Sequence, residues 1–307
     1  MRIAVMGTGG VGGYFGARLA QGGHDVAFVA RGRQLEALRS HGLRVESPLG
    51  DVHLPSVKVS DDPAELGQAD VVLFGVKLWD TEAAAELIKP MLTEHTGVVS
   101  FQNGVVKDDI LRRVIGPARV IGGVCYIAAT IAAPGVIRHA NTLQKLVFGE
   151  YDGTTSPRVR QFQDACAESG IDAEISGHIE RAIWEKFVFL VGLSGTTSSA
   201  RTPIGPIRSH PRARVFLHDV MDEVVQVARA QGVQLPVDYA GDRLAFTDTV
   251  PADMTSSMHH DLEQGSRLEV AWLSGDVVDR GAALGVQTPC NRAITDILSV
   301  HADGRQA

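Results

Sequence analysis

A glycine-rich segment near the N-terminus restricts the fold of this chain more than any other feature. Gly7-Thr8-Gly9-Gly10-Val11-Gly12 fits G-x-G-x-x-G, after the strand-like run Ile3–Met6 and at the start of a helical pattern, Val11–Gln21. In such a unit the glycines permit a tight turn and let the backbone approach a pyrophosphate, which meets free N–H groups and the helix dipole. The alternative is a turn whose glycines only ease packing. The residues predicted to bind a dinucleotide here are Gly7, Gly9, Gly10, Val11 and Gly12.

The first half of the chain alternates short β-branched runs with helical patterns, which is typical of βαβ units that form a parallel sheet. The predicted strands are Ile3–Met6, Val26–Ala30, Val71–Val76, Val98–Phe101 and Val120–Val124, and the first helices are Val11–Gln21 and Arg33–His41. Alternation around Pro48-Leu49-Gly50 and around Asn141-Thr142 predicts antiparallel hairpins over Leu43–Ser60 and Val136–Phe148. We therefore expect an α/β fold with an N-terminal, Rossmann-type, doubly wound parallel sheet.

After about Gly177 the pattern becomes almost wholly helical, and such a change marks a domain boundary. Helices are predicted over Ile179–Gly192, Arg212–Gln231, Asp238–Phe246, Asp253–Ser274, Asp276–Leu284 and Cys290–His301, with a long loop from Pro203 to Pro211. The expected domains are 1–177, a dinucleotide-binding domain, and 178–307, an all-helical domain that carries substrate and catalytic residues.

Composition excludes several classes of partner and location. Of 307 residues, 44% are hydrophobic and 21% are charged, as in compact globular proteins, and the net charge of −7 comes without a basic block. We therefore expect no binding to nucleic acid or to an anionic membrane surface. The three cysteines are far apart, and no apolar run has the length of a signal peptide or membrane span. The sequence thus predicts a cytoplasmic protein with reduced thiols, either monomer or homodimer.

The end of the second predicted strand indicates which dinucleotide is preferred. In NAD-specific folds an acidic residue at this place bonds the ribose 2′-hydroxyl, but here Ala30 is followed by Arg31. A guanidinium suits a 2′-phosphate, which a carboxylate would repel. The sequence therefore predicts NADP(H), held by Arg31 with help from Arg33; the alternative is that Arg31 is a solvated surface charge.

Two further polar residues follow predicted strands. Lys77 comes after Val71–Val76, and Asn103 comes after Val98–Phe101. Both should emerge at the carboxyl edge of the sheet, where doubly wound folds bind ligands. Lys77 can reach an anion and Asn103 can both donate and accept a hydrogen bond. Each is weak evidence alone, since an exposed lysine and an Asn-Gly turn are common.

In the second half, one lysine lies within an apolar helical pattern. Lys186 has Trp184 and Phe187 beside it in the sequence. The alternative to a functional role is that the aliphatic stem of Lys186 packs on apolar surface while its ammonium remains in water. Further on, Ser257, Asp261, Gly265 and Glu269 recur every four residues, which predicts that they share one face of a single long helix. Glu263 and Arg267 should form an exposed i, i+4 ion pair on it.

The chain resembles the ketopantoate reductase (2-dehydropantoate 2-reductase) family over nearly its whole length. The resemblance rests on the order and spacing of separated segments, which are Gly7–Gly12, Val76-Lys77, Gln102-Asn103-Gly104, Trp184-Glu185-Lys186, Ser256-Ser257-Met258 and Arg267-Leu268-Glu269 leading to Gly275. It implies a Rossmann domain, a helical domain and an NADPH-linked reduction of a 2-oxo acid in the cleft between them. The expected reaction converts 2-dehydropantoate to pantoate, in pantothenate biosynthesis.

The resemblance also implies roles for individual residues. Lys186 matches the catalytic lysine and Glu269 the substrate-site glutamate, Asn103 and Ser257 match substrate or ribose contacts, and Lys77 matches a cofactor-side contact. Hydride transfer to a ketone leaves charge on oxygen, so a cation that can donate a proton is needed there. A nearby carboxylate would favour the charged lysine and could accept a bond from a substrate hydroxyl.

One departure from the family pattern concerns the substrate. Family members carry asparagines four and eight residues after the catalytic lysine, directed to the substrate, where this chain has Leu190 and Ser194. Losing an amide removes hydrogen-bonding capacity, so a paralogue that reduces a bulkier or less hydroxylated 2-oxo acid is an alternative.

Other function classes agree less well with the residues present. An opine or hydroxyacyl dehydrogenase would favour a histidine acid over Lys186, and a non-catalytic NADP(H)-binding redox sensor would have no use for Lys186 together with Glu269. No metal site is expected, because His259 and His260 are adjacent and no H-x-x-x-H or H-E-x-x-H pairing occurs.

Overall fold

The computed structural model describes residues 1–305, which divide into two compact units. One unit comprises 1–103 and 107–182, and the other comprises 104–106 and, within the described residues, 183–305. The first contains the sheet and the second is helical. The expected fold class, a Rossmann-type α/β sheet followed by a helical region, is confirmed.

The sheet of the first unit has ten strands within the described residues. They are β1 Arg2–Met6, β2 Asp25–Val29, β3 Leu43–Glu46, β4 Val52–Leu54, β5 Lys58–Ser60, β6 Val71–Phe74, β7 Gly97–Ser100, β8 Val120–Ala133, β9 Val136–Gly149 and β10 Asp172–Ile175. Nine of them follow the order β4-β3-β9-β8-β7-β6-β1-β2-β5, and β10 also pairs with β9. Strands β5, β2, β1, β6, β7 and β8 pair in parallel, and β8 and β9 form an antiparallel ribbon.

Helices cover both faces of this sheet. Ile3 and Val5 of β1 belong to one apolar cluster with Phe15, while Ala4 and Met6 belong to a second with Ile88. Because alternate residues of a strand point to opposite faces, β1 is buried on both sides, as parallel sheets require. The helices are α1 Gly10–Gln21, α2 Gly32–His41, α3 Thr81–Leu87, α4 Val106–Ile115, α5 Pro157–Glu168 and, continuing into the second unit, α6 Ile179–Ala200.

In the second unit, helices pack closely against α6 where it carries glycine. A Cβ added at Gly192 would lie 2.5 Å from the Met221 side chain, and one at Gly195 would lie 2.8 Å from Ile294. The buried Glu223 accepts backbone hydrogen bonds from Cys290 at 2.7 Å and Asn291 at 2.9 Å, so a carboxylate meets the positive end of the last helix. These helices are α7 Ile204–Ser209, α8 Pro211–Ala230, α9 Tyr239–Thr247, α10 Ser257–Gln264, α11 Ser274–Leu284 and α12 Pro289–Ser299.

Three local expectations are wrong. The residues Val136–Phe148 form no hairpin around Asn141-Thr142, because β9 runs straight through them and its turn to β8 lies at Pro134-Gly135. The predicted loop between Pro203 and Pro211 contains α7, since proline is tolerated in the first turn of a helix.

The third wrong expectation is a single long helix over Asp253–Ser274. The observed helix α10 ends at Gln264, because Gly265 takes a left-handed conformation with φ of 68°. Helix α11 begins only at Ser274. Glu263 lies 3.4 Å from His259, and Arg267 stacks on Trp272, so the expected i, i+4 pair is replaced by other contacts.

None of the helices in the described residues is long and apolar enough to cross a membrane.

The buried thiol of Cys166 on α5 gives a prediction about stability at high pH. Burial raises the pKa of this thiol to about 12, whereas an unfolded cysteine ionises near 8.5. Between these two pH values the thiol ionises only in the unfolded chain, and its ionisation stabilises that state. The free energy of unfolding therefore falls as pH rises from about 8.5 to about 12. From about pH 8 to about pH 10, the free energy of unfolding should fall by about 2 kcal/mol more in the unaltered protein than in Cys166→Ala. Urea titrations of both proteins measure this, and parallel pH dependences would contradict it.

Candidate functional site

The glycine-rich turn lies between β1 and α1, as predicted. Gly7 has φ of 95°, and an added Cβ would lie 2.9 Å from the backbone of Gly75. A Cβ at Gly10 would lie 2.2 Å from the Ala129 carbonyl oxygen, and one at Gly12 would lie 2.3 Å from the Gly7 carbonyl oxygen. These glycines are therefore required by close backbone packing.

Gly9 differs from the other glycines of the turn. It precedes α1 in an extended conformation, and an added Cβ would meet no heavy atom within 4 Å in the described chain apart from its neighbours in sequence. The first amides of α1, those of Gly10 and Val11, follow it. Open space beside the N-terminus of a twelve-residue helix is the cradle that a pyrophosphate needs, so this turn fits a dinucleotide.

The turn is held by side chains that the sequence analysis did not single out. The Thr8 hydroxyl donates to the Val29 carbonyl at 3.1 Å, and the Gln34 amide donates to the Thr8 carbonyl at 3.0 Å. The Gln34 oxygen in turn accepts from the Gly135 amide at 2.9 Å. Since glutamine at a helix start is unremarkable in sequence, only the fold reveals this support.

Arg31 lies between the carboxyl end of β2 and the start of α2. Its guanidinium is 80% exposed and forms an ion pair with Asp80. An exposed pair of this kind contributes little to stability, so the guanidinium can exchange Asp80 for another anion at low cost. Arg33, its predicted helper, is an exposed residue in the first turn of α2.

Lys77 and Asn103 follow β6 and β7, so the carboxyl ends of four adjacent strands, β7-β6-β1-β2, carry predicted cofactor residues. The Lys77 ammonium lies 5.6 Å from the centroid of the Trp79 ring. The buried Gln102 donates to the Val76 carbonyl at 2.9 Å and to the Thr81 hydroxyl at 2.8 Å. Gln102 thus ties the segment before Asn103 to the segment before Lys77.

In the second unit, Lys186, Leu190 and Ser194 are spaced by four residues along α6 and so share a face. Lys186 and Leu190 are half-buried. Trp184 and Phe187, which pack edge to face at 5.6 Å, are buried beside them. Ser194 is fully buried, and its hydroxyl has no hydrogen-bond partner among the described residues.

Helix α10 is anchored to α6 by a histidine. His259 Nδ1 lies 2.9 Å from the Thr197 carbonyl oxygen, and since that oxygen only accepts, Nδ1 donates. The Ser256 hydroxyl accepts from the His259 amide at 3.0 Å and caps the helix. These contacts fix the start of α10, where Ser257 is exposed, against the C-terminal half of α6.

Glu269 does not share a helix with Ser257, contrary to the expected spacing. It lies in the segment after Gly265, which is held from the C-terminal side. The Leu268 amide donates to the Ala302 carbonyl and the Arg305 amide donates to the Gly265 carbonyl, both at 2.8 Å. Glu269 itself is 8% exposed and precedes the short 3₁₀ turn Val270–Trp272.

The fold and the glycine turn are those of a Rossmann-type dinucleotide-binding protein, and comparison with known proteins identifies the family. The model for "Ketopantoate reductase PanE/ApbA" matches residues 3–153, and the model for its C-terminal part matches residues 178–302. The chain therefore belongs to the ketopantoate reductase family. It is an oxidoreductase of the class that reduces a 2-oxo acid with a nicotinamide cofactor.

Individual relatives agree with this assignment. A 2-dehydropantoate 2-reductase of Archaeoglobus fulgidus is 33% identical, over 97% of this chain and 96% of the relative. The solved 2-dehydropantoate 2-reductase of Geobacter metallireducens is 32% identical with a TM-score of 0.90, over 98% of this chain and 99% of that one. D-mandelate dehydrogenase, solved with NADH and anilino(oxo)acetate, is 19% identical with a TM-score of 0.89 over 98% of both chains, which shows a shared fold.

Proposed function

We propose that this protein is an NADPH-dependent 2-oxo acid reductase with 2-dehydropantoate as substrate and Lys186 as the general acid. The observation that carries the proposal is the open side of the glycine turn at Gly9, which fits a pyrophosphate. It is combined with membership of the family, from which Lys186 is inferred to be the catalytic lysine and Glu269 the substrate-site glutamate. The names of the relatives support the substrate.

The first unit would hold the dinucleotide. The amides after Gly9 would bind its pyrophosphate, Arg31 its 2′-phosphate, and Lys77 and Asn103 the groups toward its reactive end. When bound, the dihydronicotinamide supplies a hydride to the carbonyl carbon of the substrate. The side chains of this unit bind and orient, and none of them needs to gain or lose a proton.

The second unit would supply the proton. As the carbonyl carbon gains a hydride, its oxygen gains negative charge, and the Lys186 ammonium donates a hydrogen bond and then a proton to that oxygen. The buried indole and phenyl rings of Trp184 and Phe187 pack the part of α6 that carries the lysine. The Glu269 carboxylate would accept a hydrogen bond from a substrate hydroxyl, and Ser257 would donate one to the substrate.

The preference for NADPH gives a prediction on Arg31. We expect Arg31→Ala to raise the dissociation constant of NADPH about tenfold and to leave that of NADH unchanged, because a charge-assisted bond to the 2′-phosphate is lost. Asp80→Asn, which removes the present ion-pair partner, should not weaken NADPH binding. Fluorescence titrations measure these constants. Equal affinity of the unaltered protein for both dinucleotides would remove Arg31 from this role.

A second candidate substrate is a 2-oxo acid that is bulkier or lacks the hydroxyl of 2-dehydropantoate. On the face of α6 that carries Lys186, Leu190 has an apolar isobutyl side chain. Ser194 is buried, and its hydroxyl has no hydrogen-bond partner in the described chain. A site that hydrogen-bonds a substrate hydroxyl rejects the analogue lacking it by about 10⁴ or more, whereas an apolar site discriminates by about 10² or less. The two candidates therefore differ in a measurable ratio.

A substrate panel decides between them. We expect kcat/KM for 2-dehydropantoate to exceed that for its analogue with hydrogen in place of the hydroxyl by about 10⁴ or more, because Glu269 would bind that hydroxyl. The NADPH absorbance reports turnover. A ratio below about 10² would contradict this role of Glu269 and favour the second candidate, and Leu190→Asn should then increase the ratio. No turnover of any 2-oxo acid, with NADPH still bound, would favour a redox sensor.

A further inference from the structure

A buried lysine joins two strands of the sheet beyond the point where their backbone ladder ends. The ladder between β7 and β8 pairs Val98 with Val120 and Val99 with Ile121, and β7 continues one residue further, to Ser100. The Lys107 ammonium, on α4, donates to the Ser100 carbonyl at 3.0 Å and to the Gly123 carbonyl at 3.2 Å. It thus links the two strands through their carbonyl oxygens.

The charge of this ammonium is compensated in place. Its third N–H donates to Asp108 Oδ2 at 3.0 Å, and the two side chains are only 1% and 3% exposed. The Tyr151 hydroxyl donates to the same carboxylate oxygen at 2.6 Å, and the Arg112 guanidinium covers the Tyr151 ring at 3.6 Å. Burial, and then the charge of Asp108, raises the pKa of Tyr151, so the phenol remains a donor.

This network is next to the turn that carries Asn103. The Ser100 carbonyl fixes the entry to the turn, and Lys107 itself belongs to the first turn of α4 at the exit. The Ser100 hydroxyl also donates to the Gln102 oxygen at 3.0 Å. Between these anchors, Gly104 takes a φ of 80° that favours glycine. Both backbone ends of the Asn103 turn therefore depend on one ammonium.

We propose that Lys107 is a positioning residue, whose buried ammonium fixes the Ser100 and Gly123 carbonyls and so holds the Asn103 amide for its ligand. This inference rests on the proposed role of Asn103 in binding. The alternative is a buried ion pair that matters only for stability, since such pairs need not favour folding over an apolar replacement. The two alternatives differ in whether Lys107 acts on kinetics through Asn103.

A double-mutant cycle tests the proposal. Lys107→Met alone leaves Asp108 buried without its cation and threatens folding, so the second variant is Lys107→Met with Asp108→Asn, which removes both charges at similar size. Each is made with Asn103 intact and with Asn103→Ala. We expect the charge-free variant to lower kcat/KM about tenfold when Asn103 is present and to change it little when Asn103 is absent. The free energy of unfolding is measured for every protein in the cycle.

A matched control is the pair Lys145–Glu174 in the same unit, at 2.7 Å, whose side chains are 33% and 58% exposed. Lys145→Gln with Glu174→Gln should leave kcat/KM unchanged in both backgrounds. An equal fall of kcat/KM with and without Asn103 would overturn the positioning role, as would no fall with Asn103 present. If the unaltered protein turns over no 2-oxo acid, the proposed reductase function fails, and the cycle is then read from the dissociation constant of NADPH.

Discussion

We expect Lys186→Ala to lower kcat by about 10² to 10⁴, while the dissociation constant of NADPH changes by less than about twofold. The size follows from the loss of a general acid that also stabilises negative charge on the substrate oxygen. Cofactor affinity should persist because the glycine turn and Arg31 belong to the other unit. Stopped-flow measurement of NADPH oxidation gives the rate, and a fluorescence titration gives the affinity.

Two further lysine variants test whether the fall in kcat comes from the loss of the proton donor at Lys186. Lys186→Arg keeps a cation but replaces the ammonium with a guanidinium that does not release its proton, so its kcat should remain well below that of the unaltered protein. Lys89→Ala, which removes an exposed lysine paired with Glu86, is the control and should leave kcat unchanged. A near-normal kcat for Lys186→Ala would exclude the proposed acid.

The second large effect is expected at Gly9. Gly9→Val should raise the dissociation constant of NADPH at least about tenfold and leave the free energy of unfolding nearly unchanged. The backbone there is already extended, with φ of −86°, and an added Cβ meets no heavy atom within 4 Å in the described chain apart from its neighbours in sequence. The valine should therefore obstruct mainly the approach of a ligand. Changes at Gly10 or Gly12 would instead disturb backbone packing and confound the result.

The control for this experiment is Gly241→Ala. Gly241 is an exposed glycine within α9 with the same open surroundings, so alanine there should stabilise the helix by about 0.5–1 kcal/mol without altering NADPH affinity. Unaltered NADPH affinity in Gly9→Val would show that no pyrophosphate approaches this turn.

The parallel strands could be predicted because burial on both faces leaves a simple pattern. Strands β1, β6 and β7 are almost wholly buried, and continuous apolar runs in sequence identify them. The long β8–β9 ribbon was harder to predict, because its outer half is largely exposed and lacks a continuous buried apolar run. There the exposed Asn141-Thr142 pair looked like a turn, whereas the turn is at Gly135, with φ of 77°.

The candidate site was predicted in part for similar reasons. Residues that follow strands, such as Lys77 and Asn103, are placed by the sheet edge, which the sequence indicates. The position of Glu269 depends on a chain reversal at Gly265, and a glycine after a helical pattern is a known end signal that could have revealed it. Lys107 gave no signal, because its burial is set by the Ser100 and Gly123 carbonyl oxygens, which only the folding of the sheet brings together.

The most direct measurement uses NADPH that carries deuterium at its transferable position, incubated with 2-dehydropantoate and the other 2-oxo acids of the panel. Mass spectrometry of the product should show deuterium at the former carbonyl carbon in proportion to the NADPH oxidised, and Lys186→Ala should reduce both together. Undiminished NADPH binding without any deuterated 2-hydroxy acid, from every substrate tried, would contradict a reductase that uses Lys186.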